Sequence, residues 1–481
     1  MATKRRKPTK KKSAKKAKKK ASKKRPARKK AKKKPAKKKV AKRKSARKSV
    51  KKKAVKRKAP KKKSARKPAK KKAAKKKSAA KRATATKPSS GIATVAGIIR
   101  SHAKNLSGKV SLVQGDRVQT WQELYKRSSQ VAQALKAAGV GSQDRVAFLD
   151  KNSIEHFEVF YGCALLNAVS VDINFRLAAP EVAFIVNDAQ AKVFVVGPDF
   201  VPVLDAIVGD LKFTKKIVVI GGHPTHESYE SWVSRHQPVD PGTDSKPHDV
   251  AFQLYSSGTT GRPKGVMLTN DNFLGILPNA RDLWGMNEHA VNLVAMPLFH
   301  IGGSGWATAG QYNGCKSIIL RETTDIGGMV KMITQHRITH AFMVPALLAF
   351  TLMVPDIDKA DFSSLKLIAY GASPISEQVL AASLKTFKCS FVQVYGLTET
   401  TGVVTMLMHE DHDVDGPKKH LLRSCGKPSM GVELKIVDEQ GKEVPAGEVG
   451  EIIIRSRQVM RGYWNMPQET AKSIQIGRAH V

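Results

Sequence analysis

The chain has 481 residues, 87 of them Lys or Arg against 38 Asp or Glu, for a formal charge of +49. Residues 1–90 hold 49 of the basic residues and no acidic one, leaving 38 basic against 38 acidic residues and no net charge over 91–481. Four scattered cysteines (Cys163, Cys315, Cys389, Cys425) without CxxC spacing exclude a disulfide framework or a zinc ribbon. No apolar run reaches the ~18–20 residues a membrane span needs, and the basic start has no apolar segment of a secretory signal. Pro345 interrupts the best such run, 341–355. A soluble, cytoplasmic protein is expected.

Residues 1–90 are built from Lys, Ala, Pro and Ser and carry almost no large apolar side chains. Such a segment cannot offset chain entropy by burial and is expected to be a disordered tail. It resembles the Lys-rich tails of linker histones and of bacterial histone-like proteins. Its charge suits non-specific binding of nucleic acid or other polyanions, and association with a nucleoid or nucleus. Without interleaved aromatics, no base-selective recognition is expected.

From Gly91 onward, apolar blocks alternate in type. Residues 127–138 place Val131, Ala132 and Leu135 at helical spacing, and Gly139-Val140-Gly141 closes that helix. Residues 145–149 read as a buried strand, 154–167 as a helix and 169–173 as a strand. The runs 192–197 and 216–221 end on glycine. Strands alternating with helices predict α/β sheets covered on both faces. Beyond Gly426 the texture changes to short strands, 433–437 and 450–455, which predict a small antiparallel β unit.

The strongest motif is Tyr255-Ser256-Ser257-Gly258-Thr259-Thr260-Gly261-Arg262-Pro263-Lys264-Gly265, between the apolar stretches 250–254 and 266–268. Small residues let the backbone approach a phosphate, N–H groups and hydroxyls donate to its oxygens, and Lys264 adds a point charge. A Walker A loop is excluded, because Pro263 precedes Lys264 and a glycine follows it. A second motif, Gln393-Val394-Tyr395-Gly396-Leu397-Thr398-Glu399-Thr400, ends an apolar strand. It offers a π face, a hydroxyl and a carboxylate suited to a hard cation. Tyr370-Gly371-Ala372-Ser373-Pro374 reads as a strand-to-helix turn with Ser373 as cap and Pro374 opening the helix. Ala295-Met296-Pro297-Leu298-Phe299-His300-Ile301-Gly302-Gly303 presents a histidine beside glycines.

These motifs together resemble the adenylate-forming superfamily, which includes acyl-CoA synthetases, peptide-synthetase adenylation domains and beetle luciferase. The resemblance runs from about Thr94 to Ala471. It implies the large N-terminal domain of those enzymes: two β-sheets layered with helices, plus a small distorted β-barrel. It divides the chain into a tail at 1–90, an adenylation core at 91–425 and a small β unit at 426–475. By that resemblance Ser256, Ser257, Gly258, Thr259, Thr260, Gly261 and Lys264 cradle phosphates. Gly371, Ala372, Ser373, Tyr395 and Gly396 line the adenine and acyl pockets. Thr398 contacts the α-phosphate, Glu399 holds Mg²⁺, and His300 lines the carboxylate pocket. ATP, Mg²⁺ and coenzyme A are the implied cofactor and cosubstrates.

The implied activity is ATP-dependent activation of a carboxylic acid to an acyl-adenylate and then an acyl-CoA, with a medium- or long-chain fatty acid favoured. Phe299-His300 lacks the Asp that pairs an α-amine in peptide-synthetase domains, which argues against the alternative of amino-acid adenylation. A second alternative is a polycationic nucleic-acid-binding protein with a vestigial ligase-like domain. Thr120-Trp121-Gln122-Glu123-Leu124 and the stretch 460–470 also match family signatures and read as mainly structural. The family's ribose-binding Thr-Gly-Asp segment and lid domain are not found after Thr470, so a truncated and inactive enzyme is expected. The final hexapeptide, 476–481, reads as a sequence artefact.

Overall fold

The computed structural model describes residues 91–257, 262–475 and 478–480. The tail at 1–90, the motif residues Gly258, Thr259, Thr260 and Gly261, and the Ser257 side chain lie outside the described residues.

Two mixed sheets dominate. One has nine strands; its parallel centre runs Ser390–Leu397, Leu367–Gly371, His340–Met343, Val291–Val294, Lys316–Ile319 and Val110–Gln114. Antiparallel strands close both edges: Gly402–Leu407 and Lys427–Pro428 at one, Arg117–Thr120 at the other. The second sheet has eight strands. Its parallel part runs Val250–Ser257, Val169–Asp172, Arg145–Leu149, Val193–Val196, Lys216–Val219 and Glu227–Ser228. Pro263–Thr269 and Gly462–Tyr463 extend it antiparallel. The continuous Val/Ile/Phe character of the central strands is what sheets covered on both faces require.

Helix Ile154–Leu165 is buried at every position and touches strands of both sheets, which explains its lack of a polar face. On the opposite face of the eight-stranded sheet, Val182, Ile185, Val186 and Leu204 pack on Phe194 and Val196. The helix expected at 127–138 starts earlier and spans Trp121–Ala137. Thr120 and Glu123 form a capping box, with Thr120 N–H donating to Glu123 Oε2 at 2.7 Å and Glu123 N–H to Thr120 Oγ1 at 3.2 Å.

The small β unit is a four-stranded antiparallel sheet ordered Val432–Val437, Glu451–Ser456, Arg478–His480, Ile474–Gln475. Residues 478–480, set apart on sequence grounds, pair with Glu451–Ser456, and Ala479 is buried opposite Ile454. Among the described residues no helix is long and apolar enough to cross a membrane.

Candidate active site

The carboxyl ends of the parallel strands Val291–Val294, His340–Met343, Leu367–Gly371 and Ser390–Leu397 open on one side of the nine-stranded sheet, the place where open α/β sheets present their ligand sites. Gly371 ends one strand against its neighbour so closely that a Cβ would lie 2.0 Å from the Val394 carbonyl oxygen. A Cβ on Gly396 would lie 1.6 Å from that of Gly402. Ala372 follows at φ 64°, so the chain turns sharply away from the strand. Ser373 is exposed and does not cap the next helix, contrary to expectation. That helix is Glu377–Phe387, and Ser376 caps it by accepting from Val379 N–H at 3.2 Å. The left-handed turn at Ala372 leaves Ser373 and Pro374 outside the helix.

The hairpin of the Ser/Gly/Thr motif comes from the other sheet. Ser256 stands opposite Lys264 and Tyr255 opposite Gly265. Tyr255 Oη donates to Asp188 Oδ2 at 2.6 Å, anchoring the hairpin base. Glu399 lies in the short turn Thr398–Thr400 beyond strand Ser390–Leu397. Its Oε1 accepts from Ser256 Oγ at 3.1 Å and from Tyr463 Oη at 3.0 Å. Lys264, buried, places Nζ 2.8 Å from Glu469 Oε2 and 5.1 Å from the centre of the Tyr463 ring. The structure therefore brings Ser256, Lys264 and Glu399 of two distant motifs together.

Tyr463 and Glu469 are the partners the sequence reading missed, because it took 460–470 as structural. That stretch is anchored by strand pairing of Tyr463 with Val266, by Trp464 N–H donating to Gly265 O at 2.7 Å, and by the Arg145 guanidinium 3.5 Å from the Trp464 ring centre. The anchoring carries Tyr463 and Glu469 into the site.

Glu399 Oε2 accepts no hydrogen bond among the described residues. A single carboxylate with one open oxygen fits Mg²⁺, which takes one or two protein carboxylates and completes its shell with water and phosphate oxygens. No group of three or more His, Cys, Asp or Glu able to cage a metal occurs among the described residues.

His300 caps helix Ile301–Tyr312 by accepting from Gly302 N–H at 3.1 Å, and its ring stands between two cavities. The protein walls desolvate that ring and lower its pKa, and the Arg176 charge adds to the effect. The inner cavity, about 80 Å³, is narrowed by Trp284, Trp306 and Phe342 and reaches Ala372, Tyr395 and Gly396. Burial also raises the pKa of Tyr395. The outer cavity, about 700 Å³, runs past Arg176, Phe299 and Leu347 to the exposed Phe350 and Met353.

Two layered α/β sheets whose strand ends and hairpin converge on one cleft constitute the N-terminal domain of adenylate-forming enzymes. The chain belongs to the AMP-binding enzyme family, whose model matches residues 99–464. A fatty acid–[acyl-carrier-protein] ligase, ScoC, of Streptomyces coeruleorubidus is 36% identical over 389 residues, covering 79% of this chain and 72% of that protein. The long-chain-fatty-acid–CoA ligase FadD13 of Mycobacterium tuberculosis is 30% identical over 362 residues, covering 74% and 69%. Among solved structures, the inhibitor-bound N-terminal domain of FACL13 from Mycobacterium tuberculosis superposes with a TM-score of 0.74 at 28% identity, covering 81% of this chain and 95% of that one. The anthranilate CoA ligase AuaEII in complex with anthranoyl-AMP superposes at 0.75 with 27% identity, covering 81% and 74%. The chain stands in the acyl-CoA and fatty-acid ligase branch of its family.

Proposed function

We propose that the protein activates a fatty acid with ATP and transfers the acyl group to a thiol, coenzyme A being the acceptor. The observation that carries this reading is the hydrogen bond of Ser256, paired across its hairpin with Lys264, to Glu399, which follows the strand whose Tyr395 and Gly396 line an apolar cavity. In the first step a carboxylate oxygen of the acid attacks the α-phosphorus of ATP and pyrophosphate leaves. In the second the thiol attacks the acyl carbon and AMP leaves. Such phosphoryl chemistry needs positioning and charge neutralisation more than covalent help. The hairpin 256–265, with Lys264, would hold the phosphates, Thr398 would reach the α-phosphate, and Tyr395 with Gly371, Ala372, Ser373 and Gly396 would border the nucleotide and acyl group. Mg²⁺ held by Glu399 would supply positive charge to the phosphate oxygens.

Medium-chain acids suit the inner cavity, whose aromatic walls leave a narrow apolar slot, while the outer cavity gives the thiol a separate approach to His300. No Asp or Glu lines the inner cavity among the described residues, so an α-ammonium group would find no partner there. This favours plain carboxylic acids over amino acids. Exchange of labelled pyrophosphate into ATP tests the reading. Exchange is expected with straight-chain acids and not with amino acids; exchange with amino acids alone would overturn it.

The segregated charge favours a second, compatible role, in which residues 1–90 hold the enzyme on nucleic acid or another polyanion. Retention on DNA that falls steeply with salt and vanishes on deletion of 1–90 is expected. Equal retention by the deleted chain would exclude the role.

A further inference from the structure

The two hydrogen bonds on Glu399 are unequal in sequence terms. Ser256 belongs to the phosphate motif, whereas Tyr463 lies 64 residues beyond Glu399, in a stretch to which no chemistry is assigned. Several independent constraints hold Tyr463 there. Its backbone pairs with Val266, its N–H donates to Thr470 Oγ1 at 2.9 Å, and its side chain is buried. Met460 N–H donates to the Glu399 carbonyl at 2.8 Å, tying the two segments a second time.

Both donors are neutral hydroxyls, and both choose the same oxygen. As a phenol, the Tyr463 side chain brings a hydroxyl donor to that oxygen. Lys264, whose Nζ lies 5.1 Å from the Tyr463 ring centre, is paired with Glu469 at 2.8 Å. Oε1 of Glu399 is thus fixed by two donors, and among the described residues Oε2 accepts no hydrogen bond. This orients a carboxylate for a hard cation without neutralising it.

We propose that Tyr463 is a positioning residue for the nucleotide-bound metal: with Ser256 it clamps Glu399 Oε1 so that Oε2 faces the cation. The inference rests on the ATP-binding reading above. The role is confined to the metal-bound state, because ATP without Mg²⁺ gains nothing from an oriented carboxylate. Tyr463→Phe removes the hydroxyl and keeps the ring beside Lys264.

Calorimetric titration of the full chain with ATP, in Mg²⁺ and in EDTA, separates the possibilities. Wild-type protein is expected to bind ATP more tightly with Mg²⁺. Tyr463→Phe should match it in EDTA and bind about tenfold more weakly in Mg²⁺, the size of one hydrogen bond to a charged group. Glu399→Gln should lose the same Mg²⁺ enhancement, and the double variant should be no weaker than Glu399→Gln alone. An undiminished Mg²⁺ enhancement in Tyr463→Phe, or equal weakening with and without Mg²⁺, would overturn the proposal. If Tyr463→Phe does not give a cooperative melt, Ser256→Ala decides by the ratio of its ATP affinities with and without Mg²⁺, which loss of a phosphate contact alone leaves unchanged: a reduced ratio is expected, and an unchanged one overturns the clamp. Wild-type protein that binds no ATP would instead sink the nucleotide reading itself.

Discussion

Lys264 and Glu469, 205 residues apart, form an ion pair at 2.8 Å inside the proposed phosphate site. Lys264 is 8% exposed, so its charge needs a partner whenever no phosphate is present. Glu469 supplies it, and the hydrogen bond from Lys264, followed by that from Lys472, holds the Glu469 carboxyl below its usual range. A lowered carboxyl pKa means that the contact stabilises the fold above the unfolded value of ~4.3 and is lost as pH falls through the folded value. Glu469→Gln is therefore expected to lower the melting temperature near neutral pH, with the difference closing as pH falls below the unfolded value of ~4.3. Phosphate then becomes the better partner, so ATP should raise the melting temperature of Glu469→Gln more than that of the wild type. Equal ATP shifts would show that the pair persists when nucleotide binds.

The close backbone contacts at Gly371 and Gly396 give a second expectation. A methyl group at either position would meet carbonyl oxygens of neighbouring strands, at 2.0 and 1.6 Å, which cannot rotate away as a side chain could. Gly371→Ala and Gly396→Ala should each cost roughly 3 kcal/mol or more, the range of overpacked core sites. Urea denaturation measures this; a loss within experimental error would mean that the strand ends move apart freely.

How much of this was legible in the sequence depended on distance along the chain. Ser256 to Gly265, and Tyr395 to Glu399, carry their chemistry in contiguous residues beside apolar strands, so composition alone marked them. Tyr463 and Glu469 look like any tyrosine and glutamate until the pairing of Gly462–Tyr463 with Pro263–Thr269 brings them to the site. Local signals also competed. Both Ser373 and Ser376 are plausible caps, and only the left-handed turn at Ala372 decides for Ser376. Helix Trp121–Ala137 carries its apolar spacing from the first turn, at Trp121 and Leu124, and its capping box is present in the sequence, so its true start was legible before Arg127.

Gly305 offers a test of which cavity holds the acid. Its added Cβ would meet only the Ile301 side chain, Cδ1 at 3.7 Å and Cγ1 at 3.9 Å, ordinary contacts, and it faces the inner cavity from helix Ile301–Tyr312. Gly305→Leu should retain stability, since glycine is a poor helix residue by about 1 kcal/mol. It should also shift pyrophosphate exchange toward shorter acids while leaving ATP affinity unchanged. Unaltered chain-length preference would move the acyl group to the outer cavity.

Away from the site, Asp172 and His156 form a buried pair with Oδ2 and Nδ1 3.3 Å apart. Burial raises the Asp172 pKa well above the carboxylate range and lowers that of His156 to about 3, so burial favours the neutral form of each. Ser170 Oγ donates to Asp172 Oδ1 at 3.1 Å. In the unfolded chain the aspartate ionises above ~3.9 and the histidine protonates below ~6.5. The raised Asp172 pKa therefore contributes stability below ~3.9 that is lost as pH rises. The lowered His156 pKa contributes stability above ~6.5 that is lost as pH falls toward 3. Asp172→Asn keeps the shape and the acceptor for Ser170 while removing the first effect. It should match the wild type near about pH 3 and melt at least a few degrees higher near about pH 7. A lower melting temperature for Asp172→Asn at neutral pH would instead mean that the pair is a charged one, with His156 holding the proton.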